Sequence, residues 1–265
     1  MSYFIIMRIL SVATHDERMY DIFKESCKRH KIQLDILGWG EKWQGFAWRW
    51  DLILDHITTN KIPDSELIIV TDAFDSIICV NSAQIEKEFK KFNSPMVFSC
   101  EPPSHLFIWL AGYYRWRVFG PDPVVNGGSY MGHAGAIKKF IQRIKYKPDT
   151  DDQRFLTSLY KHVNMTIDFD SRIFYHHAGW LKKRGRIPNT CIVTFPGSGY
   201  TKKILSKLGY SHDTYMLKKE SWSQCLEVAV RRGMHYTPFF WREALVLLTL
   251  LLGLGMAPLI LGIIV

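Results

Sequence analysis

Short apolar runs that alternate with amphipathic stretches set the tightest limit on what this chain can fold into. Arg8–Ala13 (RILSVA), Gln33–Leu37 (QLDIL), Glu66–Thr71 (ELIIVT) and Met96–Ser99 (MVFS) have the length and composition of strands. Between them, Arg18–His30, Trp48–Thr59 and Ser82–Phe92 carry apolar residues at helical spacing, the last with Ser82 as its N-cap. Uninterrupted apolar strands belong to sheets covered on both faces, and strand–helix alternation builds a mostly parallel sheet flanked by helices. The pattern continues with a glycine-bearing strand at Val124–Met131, a helix at Ala134–Ile144, a helix at Asp151–His162 capped by Thr150, and short strands at Thr166–Asp168 and Ile192–Phe195. Pro102–Asp122 is aromatic and irregular, and reads as a loop or partly helical flap. The class is α/β. Such sheets bind ligands beyond the carboxyl ends of their strands, which is where function is sought.

The apolar fraction is 47% and the charged fraction 22%, a balance that supports a real core. The formal net charge of +9 is spread along the chain, as in Lys87–Lys91, Lys138–Lys147 and Lys182–Arg186. It is compatible with nucleic acid, an anionic membrane surface or an anionic small substrate. Without zinc-finger spacing or an RNA-recognition signature, nucleic acid is the weakest of these, and no nucleic-acid partner is expected. The five cysteines, Cys27, Cys79, Cys100, Cys191 and Cys225, are odd in number and include no CxxC pair, which argues against a disulfide framework or a structural zinc site. The amino end is not read as a signal peptide, because Tyr3–Leu10 is broken by Arg8 and lacks a small-residue cleavage site. Residues 244–265 carry no charge and are long enough to cross a bilayer core of about 30 Å. Arg231, Arg232 and Arg242 precede them. The expected organisation is a main α/β domain over 1–215, a basic connector over 216–243 and a single-pass carboxyl-terminal anchor over 244–265. By the positive-inside tendency the domain faces the cytosol, with a membrane of the ER or Golgi type as the other placement.

The chemistry centres on Thr71-Asp72-Ala73-Phe74-Asp75. Two carboxylates just past a buried strand can be aimed by a turn at one hard divalent cation, Mn²⁺ or Mg²⁺, which in turn holds a diphosphate. The bland reading is that both acids cap a turn. Val125-Asn126-Gly127-Gly128 sets an amide and two glycines in a strand, for close approach to a ligand or for a packing bulge. Asp151 and Asp152 open a helix, either complementing its dipole or orienting an acceptor hydroxyl. Gly197-Ser198-Gly199 with Thr201, Lys202 and Lys203 offers donors and a cation for phosphate, without the spacing of a P-loop. Trp43 and Phe74 offer flat faces for a base, or serve as core.

Seven blocks, LGWGEKW (Leu37–Trp43), TDAFD (Thr71–Asp75), VFSCEP (Val97–Pro102), VNGG (Val125–Gly128), DDQRFLTSLY (Asp151–Tyr160), DFDSRIF (Asp168–Phe174) and GSGYTK (Gly197–Lys202), occur in one order. In that order the chain from Arg8 to Tyr210 resembles the amino-terminal glycosyltransferase domain of the procollagen lysyl hydroxylases. The resemblance implies a GT-A fold with a Rossmann-like sheet, a Mn²⁺ ion, and a UDP-sugar donor such as UDP-glucose or UDP-galactose. It implies hexosyl transfer to a hydroxyl of a protein or glycan acceptor. It assigns Asp72 and Asp75 to the metal and Trp43 and Phe74 to the uridine, with Thr71 also among the donor-binding residues. Asn126, Gly127 and Gly128 fall to sugar or phosphate, Asp151 and Asp152 to transfer, and Gly197, Gly199 and Lys202 to the diphosphate loop. The pattern departs in one place. Where the family has a metal-binding histidine before Gly197, this chain has Pro196. His176, His177 and His212 are the substitutes to consider. The departure keeps a second reading open, a catalytically degenerate, membrane-tethered nucleotide-sugar-binding protein. The iron-dependent hydroxylase domain of the longer family members is not expected, and neither is lysine hydroxylation.

Overall fold

The computed structural model describes residues 7–100, 125–160, 162, 165–177, 187–195 and 202–210. All belong to the first of two compact units, Met1–Lys218 and Lys219–Val265. The elements, in order, are β1 (Met7–Val12), α1 (Tyr20–Arg29), β2 (Gln33–Leu37), α2 (Trp48–Thr59), β3 (Leu67–Val70), β4 (Ser76–Ile78), α3 (Ser82–Lys90) and β5 (Met96–Cys100). They continue as β6 (Val125–His133), α4 (Ala134–Arg143), α5 (Asp152–Tyr160), β7 (Thr166–Asp168), β8 (Phe174–His176), β9 (Ile192–Thr194) and α6 (Lys202–Lys207). The expected flap over 102–122, the connector over 216–243 and the anchor over 244–265 lie outside the described residues. Among the described residues, no helix is long and apolar enough to cross a membrane.

A six-stranded sheet runs in the order β2-β1-β3-β6-β5-β7. The pairings β1–β2, β1–β3 and β5–β7 are parallel. Strand β6 runs antiparallel to both β3 and β5, so the parallel expectation holds except at this strand. The direction of β6 matters for function. It sets Asn126–Gly128, at the beginning of β6, on the same side of the sheet as the carboxyl end of β3. The strand then closes onto the opposite side, where the Ala134 amide donates to the Glu66 carbonyl (2.9 Å).

Burial on both faces follows from the uninterrupted apolar strands. One face packs Ile9, Leu67, Ile69, Val97 and Met131 under α1 and α3 residues such as Phe23 and Phe89. The other packs Leu10, Ile68, Val70, Phe98 and Tyr130 under Trp50, Ile53 and Ile57 of α2 and Ile137 and Ile141 of α4. Burying Ile53 and Ile57 stabilises by roughly 1.5–3 kcal/mol each.

A second sheet, β4-β9-β8, was not expected as a unit. It packs Ile77, Val193 and Tyr175 with Ile204 and Leu205 of α6 and with Met19 and Ile22. The DFDSRIF block links the two sheets. Asp168 ends β7 and accepts the backbone amides of Arg172 (2.9 Å), Ile173 (2.7 Å) and Phe174 (2.9 Å), which turns the chain into β8.

Two caps differ from expectation. Asn81, not Ser82, caps α3, its side chain accepting the Gln84 amide (3.0 Å). Asp151, not Thr150, caps α5, accepting the Arg154 amide (3.1 Å). In both helices the capping side chain reaches the amide three residues on.

Candidate active site

The turn Thr71–Asp75 joins β3 of the large sheet to β4 of the small one, and it is pinned along its length. Thr71 is 2% exposed, and its hydroxyl meets those of Ser76 (2.9 Å) and Ser129 (3.0 Å). Ser11 donates to the Thr71 carbonyl (2.6 Å). The Met19 amide donates to the Phe74 carbonyl (3.2 Å), and the Phe195 amide to that of Asp75 (2.8 Å). The Thr71 side chain therefore belongs to the floor of the turn and is not presented to a ligand.

Asp72 keeps 44% of its side chain open to solvent, yet its Oδ1 is bonded to Nη1 of Arg49. Asp152, the first residue of α5, is 4% exposed, and its Oδ2 is bonded to Nη2 of the same guanidinium. Arg49 lies in the first turn of α2 and is 8% exposed. Its Nε donates to the Phe46 carbonyl (3.1 Å) and its Nη2 to the Gly127 carbonyl (3.3 Å). Burial alone would lower its pKa. The carboxylates of Asp152 and Asp72 outweigh that, so the net direction is upward and the group stays charged.

Gly127 and Gly128 of β6 are explained by this cluster. A Cβ on Gly128 would sit 2.4 Å from Oδ2 of Asp72, and one on Gly127 would sit 2.6 Å from Cγ of Asp152. Only glycine lets both carboxylates lie against the strand backbone. Asn126 fixes the entry to that strand, its Oδ1 accepting the Gly128 amide (2.9 Å).

The structure thus brings Asp72, Asp152, Gly127 and Gly128 together. It separates the roles of the adjacent acids, because Asp151 caps α5 while Asp152 joins the cluster. The two aromatic candidates have different ring neighbours. Trp43 is 43% exposed and meets Phe46 (5.6 Å) and Trp48 (5.8 Å) edge-on, and Phe46 in turn lies 5.7 Å from the Arg49 guanidinium. Phe74 contacts His15 (5.5 Å) and Tyr20 (6.4 Å), and exposed Trp39 stacks on Tyr20 (5.2 Å). The loop that bears Trp39 and Trp43 is tied down at both ends. The Gly40 amide donates to Thr14 (2.9 Å), and the Trp48 amide to Pro148 (3.1 Å).

Gly197, Gly199 and Pro196 lie outside the described residues, as does His212. Lys202 begins α6, and its backbone is all that is described. His176 and His177 are buried in the small sheet. A ring nitrogen of His176 bonds the Thr194 hydroxyl, and the His177 ring lies 5.7 Å from that of Phe195. Neither completes a metal set: among the described residues, no group of three or more His, Cys, Asp or Glu is placed to hold an ion. The donor chemistry at the turn, carboxylate oxygen, suits Mg²⁺ or Mn²⁺. One oxygen of Asp72 is already committed to Arg49. The residues therefore fit a hard cation that arrives with oxygen ligands of its own. A cavity of about 1050 Å³ between α4, α5 and the start of β5, lined by residues such as Met96, Phe140 and Lys139, contains none of these residues.

Arg49 is the site residue that reading the sequence missed. The signal was present. Arg49, Ile53 and Ile57 form an i, i+4, i+8 row, and the last two are core. A charge at the head of a buried row requires an opposite charge inside the fold.

A family model described as the PLOD GT domain matches residues 6–215 of this chain. The multifunctional procollagen lysine hydroxylase and glycosyltransferase LH3 of Rattus norvegicus is 28% identical over 233 residues, covering 76% of this chain and 30% of that protein. Procollagen-lysine,2-oxoglutarate 5-dioxygenase 2 of Homo sapiens is 25% identical over 231 residues, covering 76% and 31%. The chain therefore spans under a third of the length of these curated relatives. Among solved structures, it is similar to a glycosyltransferase involved in the glycosylation of the major capsid of PBCV-1, at 14% identity, 72% of this chain, 93% of that one and a TM-score of 0.43. It is also similar to A197 from STIV, at 12% identity, 58% and 78% coverage and a TM-score of 0.36.

Proposed function

The chain belongs to the family of PLOD GT domains, and from that premise we propose that it moves glucose or galactose from a UDP-sugar to a hydroxyl on a protein or glycan, with Mn²⁺ or Mg²⁺ bound. The single observation that carries this reading is the cluster at the strand ends. There Asp72 is partly open to solvent, Asp152 is buried beside it, and two glycines leave room for both. Asp72 and Asp75 would hold the ion, whose chemistry is to neutralise the charge that develops on the leaving diphosphate. Asp152 is held by Arg49 in a fixed orientation beside that charge. Its carboxylate suits orienting an acceptor hydroxyl or stabilising positive charge at the sugar carbon. Trp43, which is exposed, and Phe74 offer faces for uracil. Gly197, Gly199 and Lys202 complete the diphosphate side in this proposal. A GT-A fold is in keeping with the six-stranded sheet.

The test is UDP release from UDP-glucose and UDP-galactose with Mn²⁺, compared with an Asp72→Ala/Asp75→Ala variant. Turnover should fall by at least about a hundredfold, the scale of losing a preorganised electrostatic partner. Equal turnover in the two proteins would end the metal assignment.

A second reading, a degenerate nucleotide-sugar-binding protein, is favoured by Pro196 at the family's histidine position and by the missing third ligand among the described residues. Calorimetry separates the two: UDP binding without turnover on any sugar donor favours the second.

We further propose that residues 244–265 anchor the chain in a membrane, of ER or Golgi type, with the domain on the cytosolic side. The uncharged run and the arginines before it support this. Removing residues 244–265 should move the protein from the membrane pellet to the supernatant with its melting temperature unchanged. A truncated chain that no longer folds would assign the segment to the core instead.

A further inference from the structure

We infer that Arg49 is a built-in counter-cation that makes divalent-ion binding at Asp72 conditional on a diphosphate. The inference rests on the transferase reading and adds to it the order in which ion and donor are held.

Three observations carry it. First, Arg49 is fixed and cannot withdraw to solvent. It is 8% exposed, and two backbone carbonyls, those of Phe46 (3.1 Å) and Gly127 (3.3 Å), hold its guanidinium in addition to the two acids. Second, it takes one oxygen from each acid, Oδ1 of Asp72 and Oδ2 of Asp152. The other oxygen of Asp72 lies against Gly128, where a Cβ would come within 2.4 Å. Third, no described residue supplies a third ligand to the turn.

The charge arithmetic then decides the outcome. Asp72 and Asp152 carry two negative charges and Arg49 returns one, so beside Asp75 the ion meets a trio with a single net negative charge instead of two. Affinity for a hard cation rises with the number of anionic ligands and the rigidity of the site. A guanidinium bonded to the ligand itself opposes the ion at short range, in surroundings that screen weakly. The free protein is therefore a poor Mn²⁺ site. A diphosphate brings the missing negative charge and the missing oxygens together, and the ion is held once both are present. Arg49 acts through Asp72 and Asp152 and touches neither ion nor donor in this scheme, so it is a positioning residue.

The experiment is Mn²⁺ binding to the full chain, read by the loss of free-ion electron paramagnetic resonance signal, first with Mn²⁺ alone and then with UDP. The wild type should bind Mn²⁺ at least tenfold more tightly with UDP than without. Arg49→Gln should bind Mn²⁺ alone at least tenfold more tightly than the wild type, and UDP should add less. Arg49→Lys, which keeps the charge, should preserve the wild-type order. Near-UV circular dichroism checks that each variant is folded. If Arg49→Gln unfolds because Asp152 is left uncompensated, the Arg49→Gln/Asp152→Asn pair removes that cost and should bind Mn²⁺ alone at least tenfold more tightly than Asp152→Asn, from which it differs only by the guanidinium. A folded Arg49→Gln variant, single or paired, with the same affinity for Mn²⁺ alone as its Arg49-bearing parent overturns the inference. Failure of the wild type to bind UDP at any Mn²⁺ concentration overturns the transferase reading instead, and the nucleotide-free comparison still decides the role of Arg49.

Discussion

Gly128 shows how a single hydrogen atom sets the geometry of this site. Its φ lies outside the left-handed region, so alanine would be tolerated by the backbone, and only the added methyl matters. That methyl would meet Oδ2 of Asp72 at 2.4 Å, well inside contact distance. Gly128→Ala should lower transferase turnover at least tenfold with less than about 1 kcal/mol lost in denaturant unfolding, because a half-exposed carboxylate can move away where a buried one cannot. Full turnover in a folded Gly128→Ala protein would show that Asp72 does not need its present position. The two acids and the glycines were visible in the sequence, since carboxylates past an apolar run and paired glycines stand out by type. Their partner was legible only as a charge at the head of the row that Ile53 and Ile57 continue, and what it meets was not. Arg49 is flanked by Trp48 and Trp50 in a helix, where an arginine ordinarily reaches solvent. Only the tertiary approach of α5, over a hundred residues on, turns it inward. The same approach decides that Asp151 caps and Asp152 faces in, which adjacent identical residues cannot reveal.

Elements defined by local period were legible almost to the residue. Gln33–Leu37 and Trp48–Thr59 have the bounds their patterns give. What failed was whatever depends on partners distant in sequence. Strands β4 and β8 are three residues each and directly follow a turn, and they exist because β9 lies between them. The direction of β6 is equally silent, since a buried strand reads the same both ways. The loop between β2 and α2 shows the opposite case, a local residue with a distant reason. Gly45 has φ +126°, and a Cβ there would lie 2.4 Å from the Pro148 carbonyl. Both the backbone angle and the space forbid a side chain. Gly45→Ala should cost roughly 1–3 kcal/mol in thermal or denaturant unfolding, with backbone strain as the cause. It should also raise the Michaelis constant for the UDP-sugar, because Trp43 rides on that loop. A variant as stable as the wild type would mean that the loop lifts off at no cost.

The charges of the whole domain bear on its acid limit. Arg8 joins β1 to its neighbours, pairing with Asp35 on β2 (2.9 Å) and with Glu66 just before β3, while His56 of α2 also meets Asp35 (3.1 Å). Burial pushes the Asp35 carboxyl up, but hydrogen bonds from Gln33, His56 and Arg8 outweigh it and hold the group below the usual carboxylate range. A depressed folded pKa gives stability that is complete above the unfolded value, about 3.9, and is lost as pH falls through the lower folded one. Unfolding should therefore steepen below about pH 4, and Asp35→Asn should flatten that limb while lowering stability at pH 7. Acid unfolding with the same slope in both proteins would remove Asp35 from the account. The domain also has a mechanical property that follows from the turn bearing Asp72. Val70 at one end is registered on Tyr130 in the large sheet, and Ser76 at the other is registered on Thr194 in the small one. With so little slack between two anchorages, sliding one sheet past the other has to be absorbed where the acids sit. Repacking Ile77 or Val193, neither of them a proposed ligand, thus becomes a remote tuning screw for the proposed transfer.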